Sequence, residues 1–157
     1  MVRVLFLMSA MLWSVSATAD PGGLVGVWQL KSFVVESVET KERRNVYGEN
    51  PKGYVVITPE RFTAIITGEG RKAAQNDEER ANLMRTMFAY SGVYRVEGNT
   101  LTTKVDVSWN EAWTGTDQVR FFRLERDRLF IETSPAPATN FPQLGVTRGI
   151  LEWERSK

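Results

Sequence analysis

Residues 118–134 read QVRFFRLERDRLFIETS, and their parity decides the fold. Two runs, 118–125 and 128–134, alternate apolar and polar residues with the period of two that a β-strand imposes. Arg126-Asp127 between them has the length of a two-residue hairpin turn. That turn sets Leu124 opposite Leu129, Phe122 opposite Ile131 and Arg120 opposite Thr133 on one face. The other face carries Phe121, Arg123, Glu125, Arg128, Phe130 and Glu132, and so belongs in water. Arg120 is thereby aimed inward with the apolar residues, which poses the functional question.

Working outward, 24–36, 52–58, 62–67, 92–98, 100–109 and 146–155 carry the same alternation of β-branched or aromatic residues with polar ones. One stretch departs from it. In NDEERANLMRTMFAY (76–90), Asn76 and Glu79 have capping-box spacing, and Leu83, Met84, Met87 and Phe88 share one helical face. A helix is predicted there, either a lid across the mouth or a plain core helix. The links at Pro59-Glu60, Gly98-Asn99 and Arg126-Asp127 are tight, whereas 37–51, 68–91, 110–117 and 135–145 are long. In an up-and-down order all the tight links fall at one end. The fold class is therefore all-β: an eight-stranded up-and-down antiparallel barrel with a packed base, an open mouth and one helix at the open end.

Residues 1–19 have the layout of a secretory signal. Arg3 precedes an apolar run from Val4 to Val15, and Ala17-Thr18-Ala19 offers a small-residue cleavage site before Asp20. The run is shorter than the ~20 residues of a bilayer-spanning helix. A signal peptide over 1–19 and one barrel domain over 20–157 are expected, in a periplasmic or secreted protein with no stable membrane insertion after cleavage. An uncleaved anchor is the alternative. Lys and Arg number 20 against 19 Asp and Glu, with no basic stripe, so no nucleic-acid partner is expected. The chain has no cysteine and no histidine. Disulfides, thiol nucleophiles, histidine general bases and the usual zinc ligand sets are thereby excluded. No calcium-loop spacing occurs either, and neither a metal nor a cofactor is expected.

Gly26-Val27-Trp28 on the first strand resembles the G-x-W signature of lipocalins. In a closed barrel the last strand brings Arg155 beside Trp28, similar to the lipocalin base closure, and stacking of that kind is favourable. NPKGYVVITPERF (50–62), AYSGVYRVEG (89–98), WTGTDQVRFFRLERDRL (113–129) and LEWER (151–155) resemble the bacterial and fungal lipocalin-like domain family. The chain departs from that pattern in two turns, at Pro59-Glu60-Arg61 and at Arg126, both at the closed end. The resemblance implies a small calycin-like barrel and leaves the activity open.

Register also proposes a site. Around Gly98-Asn99, Val96 pairs with Leu101 and Tyr94 with Thr103, which points Tyr94, Val105 and Val107 inward. Arg120, Tyr94, Thr133 and Gln118 are then inward polar groups in the mouth half, above apolar walls that include Phe122 and Ile131. Trp109 and Trp113 stand at the rim. A buried guanidinium without a counter-charge costs several kcal/mol, and no inward carboxylate is evident on these strands. A bound anion would supply the missing charge, and loop carbonyls with water at the mouth are the alternative. The expected function is binding of a small hydrophobic or amphiphilic molecule, anionic at its head. The competing readings are a cofactor-free isomerase or cyclase using Tyr94 and Arg120, and a filled barrel that serves as a protein-interaction module.

Overall fold

The first and last strands pair with each other, and that pairing turns a sheet into a barrel. The structure is a computed structural model and describes residues 23–157; the expected signal peptide lies outside the described residues. Eight long strands follow one another around the barrel: β1 (Gly26–Ser37), β3 (Lys52–Ile57), β4 (Arg61–Thr67), β5 (Met87–Glu97), β6 (Thr100–Ser108), β7 (Asp117–Glu125), β8 (Arg128–Thr133) and β10 (Val146–Arg155). Each is antiparallel to its neighbours, and β1 returns to β10 with Trp28 opposite Arg155. Two-residue strands, β2 (Arg43–Arg44) and β9 (Ala136–Pro137), extend the rim. One helix, α1 (Asp77–Arg85), lies between β4 and β5. No helix among the described residues is long and apolar enough to cross a membrane.

The two hairpin registers expected from the turns hold residue for residue: Leu124–Leu129 and Arg120–Thr133 in one, Val96–Leu101 and Tyr94–Thr103 in the other. The β5–β6 pairing nonetheless contains a bulge. Ser91 faces Val107 and Gly92 faces Val105, so Asp106 is an extra residue on β6. A Cβ on Gly92 would lie 1.9 Å from the Lys104 carbonyl oxygen, so only glycine permits this approach. The extra residue reverses the parity beyond it. Val107, expected on the cavity wall, is consequently turned out to solvent at 60% exposure, while Val105 stays in the core.

The helix is shorter than expected. Asn76 caps it, its side chain accepting from the Glu79 amide, while the Glu79 carboxylate accepts from the Gln75 amide. It ends at Thr86, and Met87, Phe88, Ala89 and Tyr90 pair with Thr67, Ile66, Ile65 and Ala64 of β4. Phe88 and Tyr90 satisfy a strand period as well as a helical one, and the free edge of β4 decides between them. Leu83 is half-buried, Met84 is exposed, and no residue of α1 is buried. The helix is not a lid.

The base is closed by one stack. Trp28 is fully buried and donates its indole N–H to the Leu24 carbonyl at 2.8 Å. The Arg155 guanidinium lies 4.1 Å from the centre of the Trp28 ring and donates to the carbonyls of Val25 and Gly23. Gly26, with φ of 147°, makes room for it, since a Cβ there would lie 2.5 Å from Arg155 Nη1. Toward the other end of the β1–β10 pair, the buried carboxylate of Glu36 accepts from Arg43 Nε at 2.8 Å and Arg148 Nε at 2.9 Å. These bonds, Arg43 first, hold its carboxyl below the ordinary value of 4.5.

Two outcomes are expected. Trp28→Ala should lower unfolding stability by ~3–5 kcal/mol, the cost of truncating a buried aromatic; an unchanged denaturation midpoint would contradict the base closure. Glu36 titrates lower in the folded than in the unfolded chain, so its contribution is present above about pH 4.5 and lost as pH falls through the folded value. Stability curves of wild type and Glu36→Gln should therefore converge as pH is lowered from 5 toward 3, and parallel curves would show that Glu36 is not held this way.

Candidate functional site

Above the packed base the barrel opens into a cavity of about 230 Å³. Phe33 from β1, Phe62 from β4, Phe88 and Tyr90 from β5, Ile131 from β8 and Leu151 and Trp153 from β10 line its walls. Inward parity on successive strands puts them there. Tyr47, in the link after β2, stacks on Phe33 at 4.8 Å between ring centroids and 16° between planes. Trp109 and Trp113 meet edge to face at 4.8 Å, and Trp113 also meets Tyr90 edge to face at 5.5 Å. Aromatic rings therefore form a large part of the cavity wall, beside aliphatic and neutral polar side chains.

Arg120 is the charged residue of this wall among the described residues, and it is only 7% exposed. Its Nη1 donates to the Val119 carbonyl at 2.8 Å and its Nη2 to Gln118 Oε1 at 3.2 Å. The guanidinium carbon lies 5.6 Å from the centre of the Tyr90 ring and 5.8 Å from that of Trp113, within the reach of cation–π attraction. No described carboxylate forms an ion pair with it. Its partners are two neutral oxygens and two aromatic residues. Burial pushes the Tyr90 phenol above its ordinary value of 10.0, and the nearby charge of Arg120 pulls it part of the way back. At neutral pH Tyr90 thus keeps its proton and is a donor.

Five of the residues proposed from sequence come together around this cavity: Arg120, Gln118, Thr133, Trp109 and Trp113. Gln118 orients the guanidinium. Thr133 Oγ accepts from the Gly149 amide at 2.8 Å, which leaves its own proton free to be donated. Tyr94 and Phe122 are placed elsewhere. Tyr94 donates to the Thr58 carbonyl at 3.0 Å, beside the tight β3–β4 turn. The cause is the stagger of a closed barrel: Val93 pairs with Arg61, the first residue of β4, so Tyr94 lies beyond the base end of that strand. Phe122 is half-buried lower down, where its amide donates to the Asn99 carbonyl of the β5–β6 turn. Neither lines the cavity. Glu111 and Asp117 are exposed, the latter near Arg95 and Lys104.

Sequence reasoning missed Tyr90, Phe33 and Tyr47, together with the strap that crosses the mouth. Phe88 and Tyr90 were assigned to the helix; alternation through Phe88, Tyr90 and Gly92 is the signal that would have found them. The strap, residues 134–141, follows β8 and lines the rim in the place expected of the helix. Asn140 fastens it, donating to the Tyr47 hydroxyl and to the Met87 carbonyl, both at 3.1 Å. Nothing in the composition of SPAPATNF marks that clamp in advance.

Compared with known families, the chain matches the lipocalin-like domain over residues 25–156, and it belongs to that family. A comparison with curated proteins finds no match.

Proposed function

We propose, for a lipocalin-like barrel with this cavity, that the protein is an exported binder of a small anionic amphiphile, with the charged head at Arg120 and the apolar body among the rings. The observation that carries this reading is a buried guanidinium on the wall of an apolar cavity with no carboxylate paired to it among the described residues. Fork-like donors of this kind match a carboxylate in bidentate geometry. The lipocalin-like fold is itself that of a ligand-binding barrel.

Binding is favoured over the isomerase or cyclase reading by the chemistry of the wall. Proton abstraction needs a group able to accept a proton near neutral pH. Among the described residues the lining includes no Asp, Glu, Lys or His, and its two tyrosines, Tyr47 and Tyr90, are both pushed toward the protonated form by burial. An open cavity also speaks against a filled barrel that acts only as an interaction module. Export is supported by the Arg3, Val4–Val15 and Ala17-Thr18-Ala19 succession.

Two measurements test this function. Expressed with its leader in a Gram-negative host, the protein should be recovered from periplasm or medium beginning at Asp20; Met1 on a membrane-bound product would contradict export. Calorimetric titration with octanoate and 2-naphthoate, each beside its methyl ester, tests the anchor. Charge-assisted hydrogen bonds contribute ~1.5–3 kcal/mol, so Arg120→Leu should weaken a bound acid about tenfold to a hundredfold while leaving its ester nearly unchanged. Equal losses for acid and ester, or no binding of either acid to wild type, would overturn the reading.

A further inference from the structure

The shape and lining of the cavity narrow the class of guest beyond an anionic amphiphile. Volume is the first constraint. At about 230 Å³ the space lies below the ~300–1,000 Å³ of drug-sized pockets, which disfavours an extended long acyl chain. Wall chemistry is the second. Phe33 and Tyr47 form a stacked pair, and Phe88 joins it to the edge-to-face cluster of Tyr90, Trp109 and Trp113. Aromatic pairs in offset or edge geometry gain attraction beyond their buried area, and a rigid planar guest gains it without freezing rotors. A flexible chain of equal size gains area alone and loses rotamer freedom on entry.

Donor placement is the third constraint. The Tyr90 ring lies against the guanidinium of Arg120, and Tyr90 is itself on the cavity wall. An arginine and a phenol side by side give an incoming carboxylate a charged fork and a neutral O–H together. Gln118 Oε1 holds one arm of that fork in place.

We infer that the guest is a compact, planar aromatic carboxylate, its ring slotted among the aromatic side chains and its carboxylate held by Arg120 with Tyr90 as the second donor. This rests on the binding reading above and deepens it by naming the ligand class and a further recognition residue.

Matched probes of similar heavy-atom count test it: 2-naphthoate as the planar acid, decanoate as the flexible acid and methyl 2-naphthoate as the neutral control. Calorimetry on wild type should show 2-naphthoate binding at least tenfold more tightly than decanoate. Tyr90→Phe, which keeps the ring, should weaken 2-naphthoate about threefold to tenfold and leave its methyl ester unaffected, the loss expected for one hydrogen bond. Trp113→Ala should shrink the preference for 2-naphthoate over decanoate. Decanoate binding as tightly as 2-naphthoate, with both acids still dependent on Arg120, would overturn the aromatic assignment and leave the binding reading standing. Tyr90→Phe weakening acid and ester alike would remove Tyr90 as a donor. Failure of both acids to bind would overturn the anion anchor itself, and this inference with it.

Discussion

Everything in this barrel depends on the antiparallel pairing of β1 with β10, sealed by Arg155 over Trp28. A sheet of eight strands left open would expose two long edges, with unpaired amides and carbonyls along each. Closure removes both edges and gives the interior one packed end. The Arg155–Trp28 stack does this with a half-buried cation at the closed end, whose Nε also lies 3.8 Å from the Asp127 carboxylate. Its guanidinium caps the indole face and donates to the Val25 and Gly23 carbonyls of the entering chain. Glycine at position 26 is part of the same device, because the guanidinium occupies the place of a side chain there.

Fixing the base fixes the mouth. All the tight turns lie at the sealed end, so the long links, the strap over 134–141 and the rim tryptophans gather at the other. The interior between them divides by polarity. Below, Leu101, Leu129 and Ile57 fill the space with aliphatic side chains. Above, rings surround a cavity, and the buried cation sits on its wall. The two arginines thus have different circumstances: Arg155 is half-buried, with carbonyls, a ring and the Asp127 carboxylate, and faces no cavity, while Arg120 is buried with two neutral oxygens, two ring faces and an opening. Neutral acceptors and cation–π contacts make a buried guanidinium tolerable, and a carboxylate makes it favourable.

Much of this was legible in the sequence because parity and two-residue turns leave little freedom. Once Arg126-Asp127 and Gly98-Asn99 were read as turns, the placement of Arg120 opposite Thr133 followed. What escaped depended on contacts across the barrel. The bulge at Asp106 exists because Gly92 admits the Lys104 carbonyl, and neither residue announces it alone. The end of the helix depended on the edge of β4 competing for Met87–Tyr90. Tyr94 had the right parity but the wrong height, since stagger around a closed barrel is a property of all its strands together. The strap pairs with β10 through the two residues of β9, and Asn140 ties its far end to two distant groups; contacts that short and single leave no pattern.

The central claim is that Arg120 is kept buried for a ligand and not for the fold. Unfolding of the unliganded Arg120→Leu protein, compared with wild type by chemical denaturation, addresses it most directly. A cation held without a counter-charge contributes little to folding, and replacing it with an apolar side chain of similar length is neutral or stabilising. The midpoint should therefore stay the same or rise. A loss of ~3 kcal/mol or more would show that Arg120 is a structural residue whose hydrogen bonds and ring contacts hold the mouth together, and would contradict its role as an anchor.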